Sequence, residues 1–460
     1  MALAEIIARK RVDVASRMEQ TPLEAFHAEL LPSDRSFTSA LRQTTVTYIL
    51  ECKKASPTAG LLRPDFDVAA IAREYADTAA AISVLTDEPY FQGSHEFLRS
   101  ARAVVDLPIL CKDFVVDPYQ VFEARHFGAD AILLMLSVLD DATYNDCFAA
   151  AQSLDIDVLT EVHDSDELDR ALDLNAPIIG INNRNLNTLE VDTSTTETLA
   201  PMVPADRIVI CESGMHHHQQ IRHLRQHVDG FLVGSAMMSQ PRPAIASREL
   251  IYGRVKVCGL TKSDDAVAAW RSGASFGGLI FAEESPRFIT PQCAAGVCAA
   301  APLKWVGVFV NSSLEHVVET ANELSLFAVQ LHGEEDQTYI ESLRRALANA
   351  EIWKACSVSN ALPRLVDSGA DRLVLDALCP VRRGGTGTAF DWSLLDGFAE
   401  RDKLIVAGGL KPENVAKADA IGVWGLDVSS GVESRPGSKD ETRLRSFFAE
   451  LRGHNQRGDR

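Results

Sequence analysis

Short apolar runs alternate with amphipathic stretches along almost the whole chain, and they form two sets of eight. In the first half the runs are TYILECKKASP, AISVLT, PILCKDF, AILLML, DVLTEV, IIGINNRN, RIVICESG and GFLVGSA. In the second half they are RVKVCG, FGGLIF, WVGVFV, AVQLHG, IWKACSV, RLVLDA, KLIVAGG and WGLDVSSG. The stretches between them, such as 67–81, 117–128 and 338–349, have the apolar spacing of helices. This alternation predicts βαβ units and parallel strands.

Eight such units close into a barrel, so we predict an α/β protein made of two tandem (β/α)8 TIM barrels. One barrel takes about 250 residues, and the chain of 460 residues has room for two. Residues 1 to about 45 precede the first strand and are predicted to form a helical extension. We place the first domain at 1–252 and the second at 253–460, with the polar tail GHNQRGDR expected to fray.

The composition restricts the partners and the compartment. A net charge of −19 argues against nucleic acid, because phosphate backbones select basic surfaces, but it allows a basic pocket for a small anion. No apolar stretch is long enough for a membrane span, and the N-terminus lacks a signal-peptide core. Nine scattered cysteines without a CxxC pair fit free thiols in a reducing cytosol. We therefore expect a cytoplasmic monomer that binds small molecules and has no nucleic-acid or membrane partner.

Glycine and serine follow the predicted strands 7 and 8 in both halves. The residues are Ser213, Gly214, Gly234 and Ser235 in the first half, and Gly409, Ser430 and Gly431 in the second. The loops after strands 7 and 8 are the recurrent phosphate site of TIM barrels, where backbone N–H groups receive the anion. Glycines also end strands for steric reasons alone. The repetition of the pattern in both halves favours a phosphate ligand.

Polar and charged side chains end five strands of the first half. They are Glu51 and Lys53 on strand 1, Lys112 on strand 3, Glu161 on strand 5, Asn182 and Arg184 on strand 6, and Glu212 on strand 7. Because the carboxyl ends of barrel strands meet at one mouth, we expect these groups to converge rather than to form separate rim salt bridges. Acids and bases in one cavity divide the proton-transfer roles. Lys53 and Lys112 are expected to lower each other's pKa.

The second half carries fewer such groups. Cys258 ends strand 1, Arg287 follows strand 2, His332 ends strand 4 and Asp376 ends strand 6. A lone strand cysteine is usually a small buried residue, whereas a carboxylate after the apolar run RLVL is costly to bury without a purpose. A thiol and a carboxylate that face one barrel mouth can act as base and acid. The pattern therefore indicates a second proton-transfer site.

The first-half motifs ECKKASPT, PILCKDF, TEVH, GINNRNL, CESG and FLVGSA occur in order over residues 1–250 and resemble indole-3-glycerol phosphate synthase. The resemblance implies ring closure of 1-(2-carboxyphenylamino)-1-deoxyribulose 5-phosphate with loss of carbon dioxide and water. It implies that Lys112 is the general acid, that Glu161 is the base in dehydration, and that Lys53 and Glu51 assist. The remaining residues would hold the substrate or frame its phosphate end, namely Asn182, Glu212, Arg184, Ser213, Gly214, Gly234 and Ser235.

The second-half motifs KVCGLT, SPRF, VQLHG, VLDA, GGTG, AGGL and DVSSGVE occur in order over residues 254–450 and resemble phosphoribosylanthranilate isomerase. The resemblance implies an Amadori rearrangement of N-(5-phosphoribosyl)anthranilate into the substrate of the first barrel. It implies that Cys258 removes the sugar C2 proton, that Asp376 opens the furanose ring and that Arg287 pairs with the anthranilate carboxylate. The residues implied to line the mouth or frame the phosphate are His332, Gly385, Gly409, Ser430 and Gly431. The role of Arg382 and Arg383 stays open.

Together the halves resemble the fused bifunctional enzyme of tryptophan biosynthesis found in some bacteria. Another pair of phosphosugar barrels, such as isomerases of histidine biosynthesis, would be expected to place paired aspartates at opposite strand ends, which this chain does not show. A phosphosugar sensor or scaffold with inactive barrels would be expected to lose the proposed acids and bases. We expect neither a metal nor a cofactor, because the sequence has no ligand cluster, P-loop or dinucleotide fingerprint. The histidines at 216–218, 223 and 227 are interpreted as surface residues.

Overall fold

The computed structural model describes residues 3–186, 188–358, 369–377 and 390–457. The chain forms two compact units, one of residues 1–247 with 454–460 and the other of residues 248–453. Within the described ranges, no helix combines the length and the apolar character needed to cross a membrane.

The first unit is built around a closed barrel of eight parallel strands. Strands 1 to 8 are Thr47–Cys52, Ala81–Leu85, Ile109–Lys112, Ala131–Met135, Asp157–Val162, Ile178–Asn182, Ile208–Glu212 and Gly230–Val233. Each strand contains part of one predicted run. Strand 1 closes the ring, because Ile49 lies opposite Ala81 of strand 2 and Leu232 of strand 8. The apolar cluster inside the barrel includes Leu110 and Leu159 and supports the strand ends that carry the polar residues.

Helices cover the outside of this barrel, and several begin at an aspartate or serine whose side chain accepts a backbone N–H, as at Asp67 and Ser94. The described helices of this unit are Leu3–Gln20, Phe37–Leu41, Val68–Tyr75, Glu88–Phe91, His95–Arg102, Tyr119–His126, Asp141–Gln152, Ser165–Asp173, Ser194–Leu199, His218–Leu224 and Ser235–Met238. One more helix, Pro243–Tyr252, begins in the first unit and ends in the second. Leu3–Gln20 confirms the predicted helical extension. A short hairpin, Ala55–Ser56 with Gly60–Leu61, lies in the loop after strand 1.

The second unit contains another closed barrel of eight parallel strands. Strands 1 to 8 are Val255–Cys258, Phe276–Ile280, Lys304–Phe309, Ala328–Leu331, Glu351–Val358, Arg372–Ala377, Leu404–Val406 and Gly425–Val428. Its described helices are Ser263–Ser272, Pro291–Ala300, Leu314–Glu323, Gln337–Ala346, Pro412–Ala420 and Glu441–Arg452. The packed aromatic rings of Phe276, Trp353 and Trp424 lie in its core. All eight predicted strands of this half are therefore confirmed.

The C-terminal tail packs against the first unit, so the expectation of a frayed end is wrong for His454–Arg457. The Arg457 side chain is 6% exposed and donates hydrogen bonds to the carbonyl oxygens of Ala200, at 2.9 Å, and Val203, at 3.1 Å. Asn455 Nδ2 donates to Asp229 Oδ1 at 2.8 Å. The tail is polar, but these hydrogen bonds hold it in place.

Candidate active sites

A cavity opens at the carboxyl ends of the first-barrel strands, and every first-half residue that the sequence singled out lines it. They are Glu51, Lys53, Lys112, Glu161, Asn182, Arg184, Glu212, Ser213, Gly214, Gly234 and Ser235. The charges therefore converge, as the strand ends predict. The cavity also has an apolar wall that includes Leu85, Phe91 and Phe114, which suits an aromatic ring.

Lys112 lies between two buried carboxylates. Its Nζ donates to Glu161 Oε2 at 3.0 Å and to Glu212 Oε2 at 2.8 Å. Asn182 Nδ2 donates to the other oxygen of Glu161, Oε1, at 3.0 Å. Among the described residues, Glu212 Oε1 is buried without a hydrogen-bond partner, so Lys112 supplies the hydrogen bond to Glu212.

This arrangement contradicts the expected direction of the Lys112 pKa. Burial acts to lower the pKa of Lys112, but the carboxylates of Glu161, Glu212 and Glu51 outweigh burial and raise it. Lys53 does not have the expected effect, because its Nζ pairs with Glu51 Oε1 at 2.6 Å. Burial in turn raises the pKa of Glu212 to about 7, against the opposing charge of Lys112. The site therefore holds a firmly protonated amine beside a carboxyl group that titrates near neutral pH.

The loops after strands 7 and 8 of the first barrel bring backbone close to the cavity. Ser213 and Gly214 have φ values of 66° and 85°, in the left-handed region that favours glycine. A Cβ at Gly234 would lie 2.4 Å from Glu51 Oε1. A side chain at 234 would therefore displace the carboxylate that holds Lys53, so glycine serves both the loop and the charge pair.

In the second barrel, Cys258 ends strand 1 and lies above a buried charge pair. Cys258 and Lys256 are 7% and 1% exposed. Lys256 Nζ donates to Asp427 Oδ2 at 2.7 Å and to Gln330 Oε1 at 2.8 Å. A Cβ at Gly278 would lie 2.8 Å from both Cys258 Sγ and Lys256 Cε, which places the thiol next to the lysine side chain.

Asp376 lies on strand 6 and is 8% exposed. His332 directly follows strand 4, and its Nδ1 lies 3.2 Å from Gln330 Nε2. Both residues are therefore at the barrel end that carries Cys258. Gly385, Arg382 and Arg383 lie outside the described residues.

The loops after strands 7 and 8 of the second barrel pack backbone against backbone. A Cβ at Gly431 would lie 1.9 Å from the carbonyl oxygen of Leu410. Gly409 has a φ of 65°, and Ser430 begins the short turn Ser430–Val432. Glycine at 431 is thus required by the close approach of the two loops.

Comparison with known proteins assigns each barrel. Residues 3–250 match the family model of indole-3-glycerol phosphate synthase, and residues 255–450 match that of N-(5'-phosphoribosyl)anthranilate isomerase. A tryptophan biosynthesis protein TrpCF of Vibrio cholerae is 51% identical over 453 residues, covering 98% of this chain and 96% of the relative. The chain belongs to both families, fused in one polypeptide.

The chain is also similar to two further proteins. The TrpCF protein of Yersinia pestis is 49% identical over 451 residues, covering 98% of this chain and 94% of the relative. A solved phosphoribosylanthranilate isomerase from Thermus thermophilus has a TM-score of 0.40 and 35% identity, covering 43% of this chain and 98% of that one. The first barrel is thus the synthase barrel and the second is the isomerase barrel.

In the isomerase barrel, Arg287 is held by a buried partner that the sequence did not indicate. Arg287 Nε and Nη2 donate to Glu433 at 2.9 and 2.7 Å. Lys439 Nζ donates to the same carboxylate at 2.8 Å and to the carbonyl oxygen of Cys258 at 2.6 Å. A Cβ at Gly259 would lie 2.5 Å from Arg287 Cδ. Glu433 therefore fixes the guanidinium across the loop that follows Cys258.

The synthase barrel also has site residues that the strand-end pattern missed. Leu3 and Ile6 of the N-terminal helix line the cavity. Lys10 of the same helix lies 2.7 Å from Asp87 and 2.5 Å from Asp113, the residue after Lys112. The burial of Lys10 in an otherwise amphipathic helix is visible only in the fold.

The clustered histidines of the synthase barrel lie near the surface. His217 precedes the helix His218–Leu224, and His223 Nε2 lies 2.7 Å from Glu197 Oε1. Within the described part of the chain, no group of three or more histidine, cysteine, aspartate or glutamate side chains has an arrangement that could hold a metal ion.

Proposed function

We propose that the two barrels catalyse consecutive steps of tryptophan biosynthesis through separate sets of residues. The isomerase barrel converts N-(5-phosphoribosyl)anthranilate to 1-(2-carboxyphenylamino)-1-deoxyribulose 5-phosphate. The synthase barrel then closes the indole ring and releases carbon dioxide and water. The observation that carries the assignment is Lys112, held between Glu161 and Glu212 in a cavity of the barrel that matches the synthase family.

In the isomerase barrel, Asp376 protonates the ring oxygen of the ribose, so the furanose opens and the anthranilate nitrogen takes the positive charge of an iminium. Cys258 then removes the C2 proton as a general base. The electron pair of the broken C–H bond forms the C1=C2 double bond, and the C=N π pair returns to nitrogen. The resulting enol tautomerises to the ketone. Arg287, oriented by Glu433, pairs with the anthranilate carboxylate.

In the synthase barrel, the aromatic carbon that carries the carboxylate attacks the ketone carbon. Lys112 protonates the ketone oxygen as it becomes an alkoxide, which is basic enough to take a proton from an amine of raised pKa. Loss of carbon dioxide then restores the aromatic ring. Glu161 acts as the base in dehydration, while Glu51 and Lys53 assist. Asn182, which donates to Glu161, and Glu212 hold the substrate.

We assign the phosphate ends of both substrates to the loops after strands 7 and 8. Backbone N–H groups in these loops can surround an anion without a side chain in the way. In the synthase barrel the residues are Arg184, Ser213, Gly214, Gly234 and Ser235. In the isomerase barrel they are Gly409, Ser430 and Gly431, with Gly385 assigned from the sequence resemblance.

The eight cysteines within the described residues have free thiols. This use of cysteine is usual in reducing compartments, so we assign the protein to the cytoplasm, as a monomer that acts on free phosphosugars.

Paired variants test this division of roles. Cys258→Ala or Asp376→Asn should abolish isomerisation and leave ring closure intact, and Lys112→Ala or Glu161→Gln should do the reverse. Each activity is measured separately, with its own substrate, on the full chain. Loss of both activities in a folded Cys258→Ala protein would overturn the assignment.

A further inference from the structure

The isomerase barrel contains a buried lysine for which the proposed chemistry has no role. Lys256 lies two residues before Cys258 on strand 1, so both side chains point to the same side of the strand. Its ammonium group has three N–H donors, of which one goes to Asp427 and one to Gln330. The end of the Lys256 side chain also lies beside the Cys258 thiol, since a Cβ at Gly278 would be 2.8 Å from both Lys256 Cε and Cys258 Sγ.

An ammonium buried this deeply is costly unless it is paired, because burial disfavours the charged form. One partner, Asp427 Oδ2, lies at 2.7 Å. Uncharged side chains in place of Lys256 and Asp427 would fill the same space without the cost of desolvating two charges. The position of the pair directly beside a nucleophilic thiol points to a function.

We propose that Lys256 is the positioning residue of the isomerase, whose buried ammonium stabilises the Cys258 thiolate that accepts the C2 proton. The inference rests on the proposed role of Cys258. Asp427 and Gln330 hold the ammonium at its place in the barrel.

The charges around Cys258 support this role. Burial raises the pKa of the Cys258 thiol, Lys256 and Lys439 act against that rise, and Asp427 adds to it. Arg287 lies on the facing loop and interacts electrostatically with Cys258. Lys439 donates to the carbonyl oxygen of Cys258, and Glu433 partly neutralises it. Of these cations, Lys256 is the one on the same strand as Cys258, two residues away and on the same side.

The thiolate can be measured without turnover, because it is the form that iodoacetamide alkylates. The alkylation rate of Cys258 in the full-length chain is followed from pH 6 to pH 10 by mass spectrometry of its peptide. We expect Lys256→Met to slow alkylation at pH 7 by about tenfold, the effect of one pKa unit, with recovery at high pH. Asp427→Asn should do the opposite and speed alkylation, because it removes a negative charge next to the thiol.

Lys304→Met is the matched control. Lys304 begins strand 3 at the other end of the barrel and pairs with Glu249 at 2.7 Å, so its loss should leave the Cys258 profile unchanged. The opposite signs separate an electrostatic role from a structural one, because general loosening would change both variants in the same direction. If Lys256→Met does not fold, Lys256→Gln takes its place, because it removes the same charge but keeps a group that can hydrogen-bond to Asp427, and it should slow alkylation in the same way.

Unchanged alkylation profiles in Lys256→Met and Asp427→Asn, or shifts of the same sign, would overturn the proposal. Turnover gives a second measurement, since isomerisation by Lys256→Met should recover at high pH while ring closure by the same chain stays normal. If Cys258→Ala keeps its isomerase activity, the proposed role of Cys258 is wrong. The alkylation shifts would still report the contact between lysine and thiol, so the two failures are distinguishable.

Discussion

Replacing Lys112 with methionine should destabilise the synthase barrel in a pH-dependent way. The substitution keeps most of the volume but leaves two buried carboxylates without the cation that lies 3.0 and 2.8 Å from them. Glu161 keeps its hydrogen bond from Asn182, whereas Glu212 loses the partner of Oε2 and has none at Oε1 within the described structure. Removing one partner of a buried pair costs about 3–5 kcal/mol. We expect that cost at pH 8.

The cost should fall as the pH falls. In the folded protein the pKa of Glu212 is already raised, to about 7, and loss of Lys112 raises it further. A carboxyl group with a raised folded-state pKa contributes stability that is present below its unfolded pKa and lost as the pH rises through the folded pKa. The penalty of Lys112→Met should therefore shrink by about 1.4 kcal/mol per unit as the pH falls from 8 toward 7, and should level off below about pH 7, where Glu212 is protonated in both proteins.

The chain provides its own reporter for this experiment, because all tryptophans belong to the second unit. They are Trp270, Trp305, Trp353, Trp392 and Trp424. In urea titrations, tryptophan fluorescence reports the unfolding of the isomerase barrel alone, whereas circular dichroism reports the unfolding of both barrels. A dichroism transition that has no counterpart in fluorescence therefore belongs to the synthase barrel. Lys112→Met should move only the second signal, and adding Glu212→Gln should restore most of the stability.

Arg9→Met serves as the control for charge loss, because Arg9 is exposed and pairs with Asp13 on the same helix. It should leave both transitions unchanged. Equal destabilisation by Lys112→Met at pH 5 and pH 8, or no rescue by Glu212→Gln, would refute the electrostatic account of this site.

Three further predictions follow from the same structure. Both activities should survive exhaustive chelation, since the proposed steps are proton transfers, and activity lost with chelator and restored by a divalent ion would contradict this. Deleting residues 454–460 should destabilise the synthase barrel by about 2–3 kcal/mol, the sum of a few buried hydrogen bonds at about 1 kcal/mol each. An unchanged dichroism transition would show that the tail does not stabilise this barrel. Lys112→Arg should lower ring-closure turnover by about 10²-fold or more and change KM less, because guanidinium is a poor proton donor; weakened binding with normal turnover would make Lys112 a charge anchor.

The sequence predicted the two barrels because each strand lies in a short apolar run and the runs alternate with amphipathic helical stretches. It also predicted the convergence of Lys112, Glu161 and Glu212, since parallel strand ends must meet at one mouth. It did not predict which charges would touch. The direction of the Lys112 pKa was therefore predicted wrongly, because Lys53 forms an ion pair with Glu51 while Lys112 forms ion pairs with Glu161 and Glu212.

The contacts that were missed are buried ion pairs between distant segments. Lys256 and Asp427 lie on strands 1 and 8 of one barrel, and Arg287 meets Glu433 across most of the same domain. In the sequence each looks like an ordinary charge near a strand end. Their partners become visible only when the barrel closes, and the same holds for the tail residue Arg457.

The most direct test of the central claim mixes two variants, each of which lacks one of the two activities. Cys258→Ala and Lys112→Ala proteins are each supplied with N-(5-phosphoribosyl)anthranilate, alone and together, and indole-3-glycerol phosphate is followed by fluorescence. Two independent sites predict no product from either chain alone and steady formation by the mixture, because the intermediate can pass from one protein to the other. An inactive mixture of folded proteins, or full activity from either variant alone, would contradict the account.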